Sequence, residues 1–187
     1  MDPAPWGRAL SGRAPGEARE SLIPADLDAT IVLLRHGESV FITEGRFQGQ
    51  ADTPLSPLGE RQAKHAARRL AEPGGPPILP VPTRPPVEIV HSPLARTART
   101  AELVAAGIRK VHSDRSAPLR PDPAFLEIAQ GEWEGLTRDE IERRYGELLA
   151  AWRRTPLEAN APGGERVVVV DRRVRDGLAR EIGRAHV

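Results

Sequence analysis

The stretch Thr30-Ile31-Val32-Leu33-Leu34-Arg35-His36-Gly37 decides the fold class of this chain. Its first half is apolar and β-branched, which predicts a buried strand. His36 follows at the carboxyl end of that strand, and in an α/β sheet this rim is where ligands bind. An imidazole placed there can act as a nucleophile, and the adjacent Arg35 indicates an anionic substrate.

The residues that follow give a context far more specific than the Arg-His-Gly tripeptide alone. Five blocks occur in order: Leu-Leu-Arg-His-Gly-Glu-Ser (33–39), Gly-Arg-Phe-Gln-Gly-Gln-Ala-Asp-Thr-Pro-Leu-Ser-Pro-Leu-Gly-Glu-Arg-Gln-Ala (45–63), Ser-Pro-Leu-Ala-Arg-Thr-Ala-Arg-Thr-Ala (92–101), Leu-Glu-Ile-Ala-Gln-Gly-Glu-Trp-Glu-Gly-Leu (126–136) and Pro-Gly-Gly-Glu (162–165). Together they resemble the histidine phosphatase superfamily, in its phosphoglycerate-mutase-like branch, over about residues 30–180. The resemblance implies an α/β fold, a three-layer αβα sandwich with a mostly parallel central sheet.

The resemblance also implies roles for individual residues. His36 would be the nucleophile, because phosphoryl transfer to an imidazole nitrogen splits hydrolysis into two easier steps. Arg35 and Arg96 would clamp the phosphate by charge and position. Arg96 falls in the first turn of a predicted helix, where anions bind well. Further candidate contacts to phosphate or substrate come from the loop after His36, at Ser39, Gln48 and Gly49.

Glu127 matches the glutamate of the family's Leu-Glu-x-x-x-Gly block, which donates a proton to the leaving oxygen, and it precedes Gly131 by four residues. A carboxyl group that acts as an acid near neutral pH needs a raised pKa, and we expect partial burial to supply it. The nearby alternatives for this role are Glu38, Glu132 and Glu134.

Composition excludes several classes of protein. The 187 residues suffice for one α/β domain, and the formal net charge of +1 gives no reason to expect a nucleic-acid partner. The chain has no cysteine, hence neither a disulfide framework nor a thiol nucleophile. No His or carboxylate cluster has metal-ligand spacing, and no apolar run approaches ~20 residues. We therefore expect a cytoplasmic protein without metal, cofactor or membrane span, whose partner is a small phosphorylated substrate; the oligomeric state stays open.

The pattern along the chain predicts a mobile N-terminal extension over residues 1–28 and a catalytic domain over 29–187. The domain carries a Pro-rich insertion at 73–86. Strands are expected at about 30–35, 87–90 and 109–112. Helices are expected to begin at Ser56-Pro57 and at Ser92-Pro93, and to cover 138–153 and 165–182.

A second histidine is the family feature that the chain lacks. The resemblance implies a His-Gly step after a late apolar strand, but His186 is neither preceded by such a strand nor followed by glycine. We therefore leave His186 out of the site and expect the domain to be incomplete at its C-terminus, without its last strand and helix. Residues 181–187 also match an in-frame translation of a common sequencing-library adapter, which the encoding DNA would test.

Three functions remain open from the sequence. A phosphomonoester hydrolase is favoured over a phosphoglycerate mutase, because only a short interval separates Trp152 from the Pro-Gly-Gly-Glu block and mutases of this branch carry a long insertion there. Mutases also have Asn at the position of Ile42 and Tyr at that of Gln130. Arg153 and Arg154 nevertheless resemble mutase substrate arginines. The third alternative is a non-catalytic phosphate-binding protein, because the second histidine is absent.

Overall fold

The computed structural model describes residues 23–113 and 117–185. Most of the predicted N-terminal extension lies outside these residues, and so does His186. The helices and strands are α1 (Val40–Thr43), α2 (Pro57–Ala71), β1 (Ile89–His91), α3 (Ala95–Val111), β2 (Leu119–Pro121), α4 (Arg138–Arg154) and α5 (Val167–Ala185). Two single-turn 3₁₀ helices, Pro123–Phe125 and Gly131–Trp133, lie between β2 and α4.

The strands β1 and β2 form a parallel pair. The register aligns Ile89 with Leu119 and His91 with Pro121. Parallel neighbours need a crossover connection, which α3 supplies while it packs against both strands. The predicted α/β class is confirmed, with a two-stranded sheet in the part of the chain that the structure describes.

Residues 30–35 are not a strand in this structure, so that prediction is wrong here. The segment has no regular secondary structure and no strand partner among the described residues, and its apolar side chains are exposed, Leu33 to 84%. Within residues 23–113 and 117–185, β1 and β2 pair only with each other. Strand-forming side chains alone do not make a strand, because the backbone N–H and C=O groups need a partner ladder.

The other two strand predictions also need correction. The second strand begins at Ile89, not Val87, and Val87 is 91% exposed after two prolines. The predicted strand at 109–112 is wrong, because α3 continues to Val111 and buries Val104 and Ile108 at i, i+4 spacing. The strand lies instead at Leu119–Pro121.

The helix predictions are largely confirmed. Ser56 caps α2 by accepting a hydrogen bond from the Gly59 amide at 3.0 Å, with proline at the first helical position. The valine run at 167–170 opens α5, as its i+4 spacing favours. Helix α3 begins at Ala95, later than predicted. Leu94 is its N-terminal cap and makes no side-chain capping bond.

Two buried apolar clusters hold these elements together. The first joins α2 to α3 through Ala67, Ala71, Val104 and Ile108. The second surrounds Trp133, which is fully buried and meets Phe47 and Trp152 edge-on at centroid distances of 6.1 and 5.9 Å. No helix among the described residues has the length and apolar character needed to cross a bilayer.

The capping box of α4 gives a direct test of local stability. Thr137→Ala should lower the free energy of unfolding by about 0.5–2 kcal/mol, because it removes the oxygen that accepts from the Glu140 amide. Urea denaturation measures the change. Thr83→Ala, the same change at an exposed position outside the helices, is the control. Equal stability of the two variants would show that the box does not stabilise α4.

Candidate active site

His36 lies directly after residues 30–35 and before Gly37, in a segment that is neither helix nor strand. Its Nδ1 is 2.7 Å from the Gly37 carbonyl oxygen. A carbonyl oxygen can only accept, so Nδ1 carries the proton and donates it. In this neutral tautomer the lone pair is on Nε2, which is therefore the nitrogen able to attack an electrophile.

A close backbone contact at two glycines holds residues 37–38 against the start of α2. A Cβ on Gly37 would lie 2.3 Å from the Gly59 carbonyl oxygen, and a Cβ on Gly59 would lie 2.0 Å from the Glu38 carbonyl oxygen. Only glycine allows such an approach at either position. The Gly37 amide also donates to Thr100 Oγ1 at 3.2 Å. Sequence analysis missed Thr100, because a threonine inside a helix gives no signal of its own.

Arg96 lies in the first turn of α3, as predicted, and is 1% exposed. Its Nη2 donates to the Gly49 carbonyl oxygen at 2.7 Å and its Nη1 to the Ala51 carbonyl oxygen at 3.0 Å. The Nε is buried and has no hydrogen-bond partner among the described residues. Burial lowers the pKa of Arg96, because removal from water disfavours a charge whose bonded partners are neutral.

The three candidate contacts from the loop, Ser39, Gln48 and Gly49, all take part in hydrogen bonds within the protein. Ser39 is fully buried; its Oγ donates to Gln48 Oε1 at 2.6 Å and accepts from the Ile42 amide, which makes it the N-terminal cap of α1. Gly49 has φ +46° and offers its carbonyl oxygen to Arg96. The loop therefore positions Arg96 as well as its own side chains.

Glu127 lies after the first 3₁₀ turn and is exposed, so the expected partial burial is wrong in this structure. Its Oε1 accepts only a local hydrogen bond, from the Ile128 amide at 3.2 Å. The three alternative carboxylates have other donors. Glu38 accepts from Ser56, Glu132 accepts from Tyr145 at 2.6 Å, and Glu134 accepts from the amides of Gln50 and Gln130.

The charges of the predicted residues act on His36. Burial is the main cause that lowers the pKa of His36 below its ordinary value of 6.5, and the bond to Gly37 opposes this shift. Arg96 and Arg35 lower the pKa further, while Glu127 raises it. Arg35, Arg96 and Glu127 therefore all lie within electrostatic range of His36, and the imidazole is favoured in its neutral form.

A pocket of about 220 Å³ is lined in part by His36. Its walls include Arg35, Gln62 and Thr100, but neither Arg96 nor Glu127 lines it. The pocket therefore lies between Gly37 and the helices α2 and α3. His91 is the last residue of β1, and its Nδ1 donates to the Ser92 carbonyl oxygen at 2.8 Å. No group of three or more potential metal ligands occurs within residues 23–113 and 117–185.

Comparison with known families agrees with this geometry. The model of the histidine phosphatase superfamily (branch 1) matches residues 31–186, which is more than half of the chain. The chain belongs to this superfamily. The resemblance carried by the five sequence blocks is confirmed, and the match includes His36, Arg96 and Glu127.

The relatives include both phosphatases and a mutase. Glucosyl-3-phosphoglycerate phosphatase from Mycolicibacterium vanbaalenii is 38% identical over 143 residues, covering 76% of this chain and 55% of that protein. A 2,3-bisphosphoglycerate-dependent phosphoglycerate mutase from Thermobifida fusca is 37% identical over 131 residues, covering 68% and 47%. The structure of mycobacterial glucosyl-3-phosphoglycerate phosphatase in complex with VO3 has a TM-score of 0.65 and 31% identity, covering 79% and 62%. The chain thus spans about half the length of these two curated relatives.

The shifted pKa of His36 predicts a measurable pH dependence. In an NMR titration, His36 of the folded chain should titrate below 6.5, whereas the same residue in the urea-unfolded chain should titrate near that value. Between the two pKa values the unfolded chain binds the proton and the folded chain does not, so His36 should make the free energy of unfolding rise with pH in this interval. A folded-state midpoint at or above 6.5 would contradict the assignment of a neutral imidazole.

Proposed function

We propose that the chain is a phosphomonoester hydrolase that works through a phosphohistidine on His36 and acts on a small phosphorylated metabolite. The observation that carries this proposal is the tautomer of His36. Its proton is fixed on Nδ1 by Gly37, so the Nε2 lone pair is free beside two guanidinium groups. A nucleophile flanked by positive charge suits an electrophile that carries negative charge, as a phosphoryl group does.

In the first step Nε2 attacks phosphorus and the bond from phosphorus to the leaving oxygen breaks. The leaving oxygen takes a proton from Glu127, and the alcohol departs. In the second step water attacks the phosphohistidine, the Nε2–phosphorus bond breaks, and the water proton returns to the Glu127 carboxylate. Orthophosphate leaves, and both residues regain their initial states.

Arg96 and Arg35 stabilise the phosphoryl charge in both steps. Arg96 is held by the Gly49 and Ala51 carbonyls and keeps N–H groups beyond those two bonds. We assign a substrate contact to Gln48, whose amide nitrogen stays outside the hydrogen bond to Ser39. Ser39 and Gly49 act by shaping the loop. The similar mycobacterial phosphatase solved with VO3, an oxyanion, supports an oxyanion site of this kind.

A phosphoglycerate mutase is the second candidate, favoured by the 37% identity to the Thermobifida fusca enzyme. A mutase returns the phosphoryl group from histidine to a bound sugar acid, whereas a phosphatase releases it to water. Product analysis on phosphoglycerates separates the two. Orthophosphate as the product supports the phosphatase, and isomerised phosphoglycerate supports the mutase.

His36→Ala should abolish both turnover and the covalent intermediate. The full chain is incubated briefly with a ³²P-labelled phosphomonoester and quenched in alkali, because phosphohistidine is acid-labile. Label should be found on His36 of the unaltered chain and of His65→Ala, which removes an exposed imidazole from α2. Label retained by the His36→Ala chain, or absent from the unaltered chain, would overturn the proposed mechanism.

Glu127→Gln should slow an alkyl phosphate by ~10²–10⁴-fold and a nitrophenyl phosphate much less. An alkoxide leaves poorly and needs a proton, whereas nitrophenolate leaves without one. The comparison is kcat/KM on the two substrates. Glu147→Gln, which alters an exposed carboxylate on α4, is the matched control. Equal slowing of both substrates by Glu127→Gln would place the acid on another residue.

A further inference from the structure

Arg173 of α5 binds the backbone on which Glu127 sits. Its Nη1 donates to the carbonyl oxygens of Ala124 at 3.0 Å and Leu126 at 2.7 Å. Its Nη2 donates to the carbonyl oxygen of Glu127 itself at 3.1 Å. One side chain, 20% exposed, thus donates to three carbonyl oxygens within residues 124–127.

Glu165 of the Pro-Gly-Gly-Glu block joins this arrangement from the other side. Its two carboxylate oxygens accept from Arg173 Nε at 3.0 Å and Nη2 at 2.8 Å. Its Oε2 also accepts from the Ala129 amide at 2.9 Å and from Gln50 Nε2 at 3.2 Å. The Gln50 side chain donates in turn to the Glu127 carbonyl oxygen at 3.0 Å. Backbone groups on both sides of Glu127 therefore converge on one ion pair.

Close packing brings these segments together. A Cβ on Gly131 would lie 2.1 Å from the Pro162 carbonyl oxygen, and a Cβ on Gly164 would lie 2.7 Å from the Ala129 carbonyl oxygen. On α5, a Cβ on Gly177 would lie 2.7 Å from the Ala124 Cβ. Glycine at these positions lets both the Pro-Gly-Gly-Glu block and α5 touch the Glu127 segment directly.

We propose that the Arg173–Glu165 pair is a positioning device, which fixes the backbone at 124–129 so that Glu127 projects toward the phosphoryl group on His36. This inference rests on the proposed function for the reaction, but the contacts that define the pair do not. Glu127 is exposed and its carboxylate makes only a local bond, so its direction is set by its backbone. A displacement of about 1 Å in a catalytic group can cost ~10²-fold in rate.

The Glu165 carboxyl group is ionised at neutral pH. The Arg173 guanidinium is the main cause that lowers the pKa of Glu165 below its ordinary 4.5, and the Ala129 amide and Gln50 lower it further. The stabilisation that comes from this shift is therefore present above 4.5 and is lost as the pH falls through the lowered value.

The first test measures the backbone without any substrate. Hydrogen–deuterium exchange of the full chain follows peptides covering 122–131, with peptides of α2 as the internal reference. Arg173→Gln and Glu165→Gln should speed exchange at the Ala129 amide and its neighbours and leave α2 unchanged. The matched control is Arg175→Gln, which removes an exposed arginine paired with Asp171 on the same helix.

The second test measures the direction of Glu127 by leaving-group dependence. Arg173→Gln should lower kcat on an alkyl phosphate by ~10²-fold and on a nitrophenyl phosphate much less, with little change in KM. A general loss of stability would slow both substrates alike. If Arg173→Gln does not fold, Arg173→Lys retains the charge but not the planar fork, and it replaces the first variant in both tests.

The outcomes separate this inference from the proposed function. Unchanged exchange at 122–131 in a folded variant overturns the positioning device, whether or not the unaltered chain hydrolyses a phosphate. If the variants exchange faster but the unaltered chain is inactive, the pair does hold the backbone, and the proposed hydrolase function is overturned instead. Faster exchange with equal slowing of both substrates overturns the link to proton donation.

Discussion

The backbone contact between Gly37 and Gly59 is the constraint on which the site depends. It brings residues 37–38 into contact with the start of α2, and the Thr100 hydroxyl on α3 accepts a hydrogen bond from the Gly37 amide. Helices α2 and α3 are themselves joined by a buried cluster of alanine, valine and isoleucine. His36 is therefore positioned by a packed helix pair, even though residues 30–35 before it have no strand partner in the described structure.

The buried guanidinium of Arg96 explains why this position favours an anion. Its bonded partners are the carbonyl oxygens of Gly49 and Ala51, which accept hydrogen bonds but carry no full charge. Removing a charge from water without a charged partner is costly, and the lowered pKa of Arg96 reflects that cost. An anion bound beside Arg96 would offset this cost, so burial of this guanidinium would strengthen binding of the phosphoryl group in the proposed function.

Short sequence signals predicted the features that depend on neighbouring residues along the chain, such as the starts of helices. Ser56-Pro57 and the Thr137–Glu140 box marked the starts of two helices, and the five blocks identified the family. The catalytic roles of His36, Arg96 and Glu127 stay predictions. Strands were predicted poorly, because strand formation at 30–35 depends on a partner that a single segment does not reveal. Arg173 was missed for a related reason, since a side chain that donates to backbone carbonyls follows no pattern of residue types. The burial of Glu127 was also wrong, because exposure is decided by surrounding segments.

Arg96 and Arg173 both carry a guanidinium group, but their hydrogen-bond acceptors differ in charge. Arg96 is bonded to neutral carbonyls, so its positive charge remains available to an anion. Arg173 is bonded to the Glu165 carboxylate through two contacts, so its charge is largely neutralised where it meets the Glu127 segment. An unpaired arginine at that place would favour the ionised form of a neighbouring carboxyl group and would compete with Arg96 for the phosphate. In the proposed function, pairing with Glu165 lets Arg173 hold the backbone of Glu127 without favouring loss of the Glu127 proton and without binding the phosphate.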